Sequence, residues 1–406
     1  MSNANEKQPC PQVVSAGPLA RFIDPFAEWV TNKQYARETC RRYIFLAADF
    51  GRWLKKRGIS LSDVSSEHPA QYLRYRARCQ YVTCLGPPAL RGLMELLRRD
   101  GAVKQLATEL SPVDACIKDF ADHLRDKRGL APRSINNHTL YVRLFLSDLG
   151  GTDLAAIRPR DVTKFIQRQA LPEHPSRSKQ INTALRAFFR FAHYRGDISI
   201  DLTPAIPCVP NWQMTSIPRV FPANQVHKAL CSCDRRTPMG RRDYAIVLLL
   251  SRLGLRACEI ASLQLQDIDW QGGTLTIHGK GRRVDRLPLP PDVGEAIAAY
   301  LQRGRPQCVY RHVFLCVRPP IHGLIPSSIG TLTRRVINRA GISNSPSKGT
   351  HQFRYGLASM LLKKGVSVTA ISQVLRHRSP RTTMMYTKID LDSLRMLSMP
   401  WPGGAR

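Results

Sequence analysis

A mainly α-helical fold with one small antiparallel sheet is expected for these 406 residues, on three grounds. Apolar residues recur at helical spacing through most of the chain, between glycine and proline breakers. The period shortens to two in one place, residues 274–289. A stretch with five prolines, 201–222, separates a purely helical run from the part holding that switch. The chain is too long for one ordinary core. It divides into a helical module (1–105), a helical bundle (106–205), a linker (206–222) and a mixed part (223–400).

In the first module, Gln34 to Lys56 carries Tyr43, Phe45, Leu46, Phe50 and Trp53 near helical spacing, and Gly58 stops it. A second helix is expected over Ala89 to Leu97, after Pro87-Pro88. The bundle has four periodic stretches: Val113 to Leu124, Ser134 to Leu149, Asp161 to Ala170 and Ser178 to Tyr194. In the second of these, Ile135, Leu140, Val142, Leu144, Phe145 and Leu149 supply the apolar positions. The phrases Ser62-Asp63-Val64 and Arg160-Asp161-Val162 follow similar glycine-stopped helices, which raises an internal duplication as an expectation to test. In the mixed part, helices are expected over Asn224–Cys233, Arg241–Leu253 and Arg256–Leu263. A hairpin follows, Thr274–His278 and Val284–Leu289, joined by Gly279-Lys280-Gly281. Helices over Pro291–Leu301, Ser327–Arg339, Thr350–Lys363, Val368–Leu375 and a tail near Asp390–Leu397 complete the reading.

Lys and Arg number 61 against 30 Asp and Glu, a formal net charge of +31. A compact body so charged repels itself unless it meets a polyanion, and nucleic acid is the obvious one. Arginine outnumbers lysine, and its planar fork grips phosphate through two parallel bonds. A hydrophobic content of 43% argues against wholesale disorder. The N-terminal MSNANEKQPC has no apolar core of a secretory signal, and the aliphatic run 245–250 is too short to span a bilayer, so a cytoplasmic protein is expected. Eleven scattered cysteines then read as reduced thiols. His227, Cys231 and Cys233 cluster, but a structural zinc site takes a second ligand pair, and none follows nearby. No G-x-x-x-x-G-K-[ST] phosphate loop is present.

The chemistry-bearing residues form a series in the mixed part. Arg256 and Glu259 stand three apart, neighbours on one helical face, so the carboxylate can hold the guanidinium rigid. Lys280 sits between two glycines on a turn that can approach a backbone closely and deliver a proton. His351 and Arg354 open a helix after Thr350, a candidate N-cap, where free N–H groups already favour phosphate. His377 follows an apolar helix, and Tyr386 stands nine residues on. A phenol titrates near ~10, so as a nucleophile it needs a base or a strongly cationic pocket.

With these residues in this order, the chain resembles the tyrosine recombinase (phage integrase) family. The matching stretches are Gly254-Leu255-Arg256-Ala257-Cys258-Glu259-Ile260, His278-Gly279-Lys280-Gly281, His351-Gln352-Phe353-Arg354, Leu375-Arg376-His377 and Thr382-Thr383-Met384-Met385-Tyr386-Thr387. Two positions depart from the family pattern. Arg376 stands where glycine often precedes the second histidine, and Tyr355 where another histidine often follows the arginine. The first hundred or so residues lie outside the common pattern.

The resemblance implies a helical, SAM-like core-binding domain over 106–205 that clamps the duplex, and a catalytic domain over 223–400. The extra module, 1–105, suggests further DNA contact and a mobile-element type of site-specific integrase. Tyr386 would attack the scissile phosphate and form a 3′-phosphotyrosine. Arg256, Arg354 and His351 would hold the non-bridging oxygens, Lys280 would protonate the departing 5′-oxygen, His377 would hydrogen-bond the phosphate and Glu259 would buttress Arg256. Neither metal, ATP nor any other cofactor is implied. The partners would be double-stranded DNA and a homo-oligomer, a tetramer on paired sites, with related recombinases as further candidates. The tail, through Leu391, Leu394, Met396 and Leu397, would dock on a neighbour. Two other readings stay open at this point: a type IB topoisomerase, which relaxes supercoils without pairing sites, and a non-catalytic DNA-binding accessory protein.

Overall fold

The computed structural model describes residues 17–78, 85–103, 111–150, 153–169, 175–208, 221–279, 283–342, 349–377 and 383–384. The fold is mainly helical with one three-stranded antiparallel sheet. Contacts divide the chain into two compact units, residues 104–213 and the remainder.

The unit 104–213 is a bundle of α5 (Pro112–Asp126), α6 (Pro132–Asp148), α7 (Pro159–Gln169) and α8 (Pro175–Arg195). Each helix begins on a proline, whose fixed φ suits the first helical position and whose missing N–H would have had no intrahelical partner there. The Ser111 hydroxyl caps α5 by accepting from the Asp114 N–H at 3.1 Å. Phenylalanines fill the core: Phe120 meets Phe188 edge-on, and Phe145 meets both Phe165 and Phe189 edge-on. Two leucines counted as apolar face of α6, Leu140 and Leu144, are exposed instead, while Ile135, Val142 and Phe145 carry the burial. The start of the expected linker is also packed. Leu202 and Ile206 flank a 3-10 turn (Thr203–Ala205) and enter this core.

In the other unit the N-terminal module is α1 (Ala20–Asn32), α2 (Arg37–Lys56), α3 (His68–Arg78) and α4 (Gly86–Arg99). Its core runs from Leu19 to Val103 and includes Phe26, Phe50, Trp53, Tyr72 and Leu93. Phe45, expected inside, is 43% exposed. Gly92 lets α1 and α4 meet, since a Cβ there would stand 2.6 Å from the Trp29 ring. The duplicated phrase does not fall on equivalent structure: Asp63 lies in a 3-10 turn (Leu61–Asp63), whereas Asp161 lies in the first turn of α7.

The mixed part is built on α10 (Pro238–Arg252), whose residues 245–250 are all buried. Thr237 caps it, accepting from the Gly240 N–H at 3.0 Å. Around α10 stand α9 (Ala223–Cys231), α11 (Ala257–Ser262), α12 (Pro291–Arg303), α13 (Pro326–Arg339), α14 (His351–Lys363) and α15 (Val368–Val374). The sheet is β1 (Ile268–Asp269), β2 (Thr274–His278) and β3 (Val284–Pro288), in that order. The expected hairpin is β2–β3, paired from Thr274↔Pro288 to His278↔Val284, and β1 adds an edge too short to show a period. Leu275 and Ile277 turn inward and the alternate residues outward, the period-two pattern of a sheet with one buried face.

His227 and Cys231 are 3.4 Å apart, but Cys233 points into the core toward the Ala229 carbonyl. Among the described residues no group of three metal-ligating side chains forms, and no helix is long and apolar enough to cross a membrane. The expected tail helix, 390–397, lies outside the described residues.

Candidate active site

Three loop-to-helix junctions converge on Arg354. The first is the turn before α11. Gly254 adopts φ +56°, and a Cβ there would press on Leu375 Cδ2 at 2.9 Å and Leu357 Cδ2 at 3.1 Å. Its carbonyl accepts from Arg354 Nη1 at 2.5 Å. Arg354 Nη2 donates to the Leu375 carbonyl at the end of α15. One buried guanidinium thus joins the loop that carries Arg256 to the loop that carries His377.

Arg256 is the N-cap residue of α11, with extended backbone (φ −82°, ψ 153°). The helix expected to start at Arg256 starts one residue later. Glu259, 1% exposed, turns back on it: Oε1 accepts from Arg256 Nη1 at 2.7 Å and Oε2 from the Arg256 N–H at 2.9 Å. The arginine side chain is only partly covered, which leaves it reachable from solvent. Burial alone would raise the Glu259 carboxyl. The bond from the Arg256 N–H, the charge of Arg376 and the Arg256 guanidinium outweigh it and hold the carboxyl below the usual range.

His351 is the first residue of α14, one turn before Arg354. Thr350 is not the cap expected of it. It has helical dihedrals and its side chain makes no cap bond. Partial burial, then the charges of Arg354 and Arg256, hold the His351 imidazole below its ordinary value. The ring lies tilted over Tyr355 at 6.3 Å between centroids, so one of the two departures from the family pattern serves as a ring neighbour of His351.

His377 follows α15. Its Nδ1 lies 2.6 Å from the hydroxyl of Thr383, which is fully buried. Burial, then the positive charges of Arg354, Arg256 and Arg376, push its imidazole down to about 4. In the described part of the site burial and the same arginine charges therefore hold both imidazoles below their ordinary values.

Arg376 has φ +53°, a left-handed conformation that costs a side-chain residue roughly 1–2 kcal/mol relative to the right-handed one. The backbone around it forms a Schellman cap: the Arg376 N–H donates to the Gln373 carbonyl at 2.9 Å and the His377 N–H to the Ser372 carbonyl at 3.0 Å. Glycine suits that position because it lacks a Cβ. The chain keeps the cap and sets a guanidinium there, whose Nη2 donates to Glu259 Oε2 at 3.0 Å.

Lys280 and Tyr386 lie outside the described residues. The base of the Lys280 turn is described. The Gly279 N–H donates to the Arg283 carbonyl at 2.8 Å, and His278 Nε2 lies 3.0 Å from Asp267 Oδ1. Asp267 in turn accepts from the Gln264 N–H at 2.8 Å, which ties the end of β2 to the segment after α11. Sequence reading named Arg256, Glu259, His351, Arg354 and His377. It quoted Gly254 and Thr383 only as members of matching stretches and passed over Asp267, since the parts of all three depend on tertiary contacts. A hint existed for Gly254, a glycine directly between two apolar residues at a helix end.

The arrangement has known parallels. The phage integrase family model matches residues 219–392, and that of the phage integrase N-terminal SAM-like domain matches 117–196. An integrase/recombinase of Sinorhizobium fredii, y4rA, is 45% identical over 96% of both chains. Tyrosine recombinase XerD of Listeria monocytogenes is 28% identical, over 67% of this chain and 93% of its own. Among solved structures, the XerH site-specific recombinase bound to palindromic difH substrate in a post-cleavage complex superposes with a TM-score of 0.56 at 19% identity, covering 70% of this chain and 84% of that one. A lambda integrase dimer (residues 75–356) bound to a COC′ core site gives 0.53 at 16% identity, covering 67% and 94%. At these identities the structural likeness speaks to the fold.

Proposed function

Since the chain belongs to the phage integrase family and is a tyrosine recombinase, an enzyme of DNA strand cleavage and transfer, we propose that it works through a 3′-phosphotyrosine intermediate on Tyr386. The Tyr386 hydroxyl gives up its proton to water as its oxygen attacks the scissile phosphorus, the bond to the 5′-oxygen breaks, and Lys280 gives that leaving oxygen a proton. Arg256, His351 and Arg354 face the non-bridging oxygens, where charge gathers in the transition state. Donors fixed in advance around that charge need no reorganisation as it develops. His377 hydrogen-bonds the phosphate, and Glu259 keeps Arg256 aimed. The phosphotyrosine conserves the energy of the broken bond, so a 5′-hydroxyl of a second duplex can reverse the step without ATP or a metal ion.

The observation that carries this reading is Arg354. Its bonds to the Gly254 and Leu375 carbonyls tie the turn before Arg256 to the helix end before His377, from a position three residues along α14 from His351, which supports reading these groups as one site. Such a pocket also lowers the cost of ionising a phenol brought to it. In the same proposal residues 106–205 and the catalytic part 223–400 each bind double-stranded DNA, with 206–222 as the link and 1–105 as an additional DNA contact. The working form is a homo-tetramer on two paired sites, open to related recombinases, and acts in the cytoplasm.

The test uses suicide duplexes, nicked beside each candidate cleavage position in the DNA that flanks the gene. The wild type is expected to form a covalent protein–DNA adduct in EDTA and without ATP, and Tyr386→Phe none. An adduct that needs a divalent metal, or that persists in Tyr386→Phe, would contradict the proposal. Relaxation of supercoils without exchange between two sites would favour the topoisomerase reading.

A further inference from the structure

Glu259 serves two arginines. Oε1 holds Arg256, and Oε2 is shared by the Arg256 N–H and the Arg376 guanidinium. The Arg376 side chain is 7% exposed and the carboxylate 1%, so both charges are withdrawn from water and each depends on the other. Arg376 reaches further. Its Nε stands 3.9 Å from Asp285 Oδ2 on β3. That same Asp285 oxygen lies 3.9 Å from where a Cβ on Gly279 would stand, at the base of the Lys280 turn. Its own backbone is the left-handed cap of α15 and precedes His377 directly. One side chain therefore spans the three segments that carry Arg256, Lys280 and His377. It does so from a backbone conformation that penalises any residue with a Cβ.

We infer that Arg376 is a positioning residue of the strand-cleavage reaction: through Glu259 it fixes the aim of Arg256, and through its backbone it ties that aim to the placement of His377. The inference rests on the reading of Arg256 as a phosphate-holding group. With Arg256 alone, Oε2 would keep a single backbone donor; the Arg376 guanidinium gives that oxygen a second, charged donor. It also adds a cation beside the pocket that glycine at this position would not supply.

Arg376→Gly suits the left-handed backbone and so keeps the cap; Arg376→Lys keeps a cation without the planar fork. Both are compared with the wild type as the full chain by two readouts. Hydrogen exchange at the Arg256 N–H, whose acceptor is Glu259 Oε2, is expected to quicken about tenfold or more in Arg376→Gly and less in Arg376→Lys. Single-turnover adduct formation is expected to slow by about ten- to a hundredfold in Arg376→Gly, with partial rescue in Arg376→Lys. Added to Glu259→Gln, Arg376→Gly should slow it by no more than about twofold further, because both act through one carboxylate. Unchanged Arg256 exchange in Arg376→Gly, or full additivity with Glu259→Gln, overturns the proposal. Exchange needs neither DNA nor the phenol and is read equally in Tyr386→Phe. Failure of the nucleophile reading thus appears in the adduct assay, and failure of the Arg376 reading in the exchange.

Discussion

At the scale of the residue, the site is organised by what buried arginines do with carbonyls and carboxylates. Arg354 bonds two main-chain carbonyls from separate loops, and no other side chain offers a planar fork of that width. Arg354→Lys keeps the charge and loses the fork. It should lower unfolding stability by about 2 kcal/mol, measured by urea denaturation, and slow adduct formation by about a hundredfold. An unaltered cleavage rate would remove Arg354 from the centre of the account. His377 makes a prediction about pH. Its folded value, about 4, lies below that of a histidine in an unfolded chain, so the unfolded state takes up the proton first as pH falls. Stability linked to His377 is therefore full above the ordinary histidine range, falls as pH drops through it, and levels off below about 4. The lowered His351 acts in the same direction. Urea unfolding at pH 7 and pH 5 should show the wild type losing stability and His377→Asn losing less; equal losses would contradict it. The sequence offered these groups as candidates, because cations and imidazoles recur at loops and helix starts in an order that resembles a family motif. Their partners were not. Thr383 beside His377 and Glu259 beneath Arg376 are contacts made by the fold, and Arg376 itself read only as an irregularity.

At the scale of the element, the site depends on how helices begin and end. The α11 start presents Arg256, the α14 start presents His351, and the α15 end presents His377 through a Schellman cap. Gly254 lets the first and third meet. Gly254→Ala would force a Cβ into the left-handed region and against Leu375 and Leu357. We expect a loss of roughly 2 kcal/mol or more in unfolding stability, and slower cleavage as the Arg354 bond to residue 254 is displaced. A variant as stable as the wild type would show that this close approach is dispensable. Long amphipathic helices such as α2, α6, α8 and α13 were readable because one face of each must be buried. The elements that escaped had reasons to. Pro25 lies inside α1, and a sequence reading takes proline as a break. In α3 Tyr72 is the one buried residue, so the period has almost nothing to show. β1 has two residues and exists only because β2 pairs with it. The N-cap expected at Thr350 failed because that residue already has helical dihedrals, which turn its hydroxyl away from the orphan N–H groups.

At the scale of the whole molecule, charge and domain organisation decide the partner. A net charge of +31 on a folded chain should give DNA affinity dominated by phosphate contacts. Each neutralised phosphate contributes about −0.9 to the slope of log K against log salt. Binding to a duplex of any sequence is expected to follow a steep linear slope, equivalent to roughly six or more phosphates. A shallow slope would mean that the positive charge does not meet the backbone. Composition alone suffices for this expectation, since charge balance survives folding unchanged. It could not reveal how far each core reaches, as the burial of Leu202 and Ile206 within the proline-rich stretch makes plain. The most direct test of the central claim is peptide mapping of the protein–DNA adduct by mass spectrometry after nuclease trimming. The account predicts a residual nucleotide joined through its 3′-phosphate to the peptide containing Tyr386. Attachment to any other residue, or through a 5′-phosphate, would contradict it.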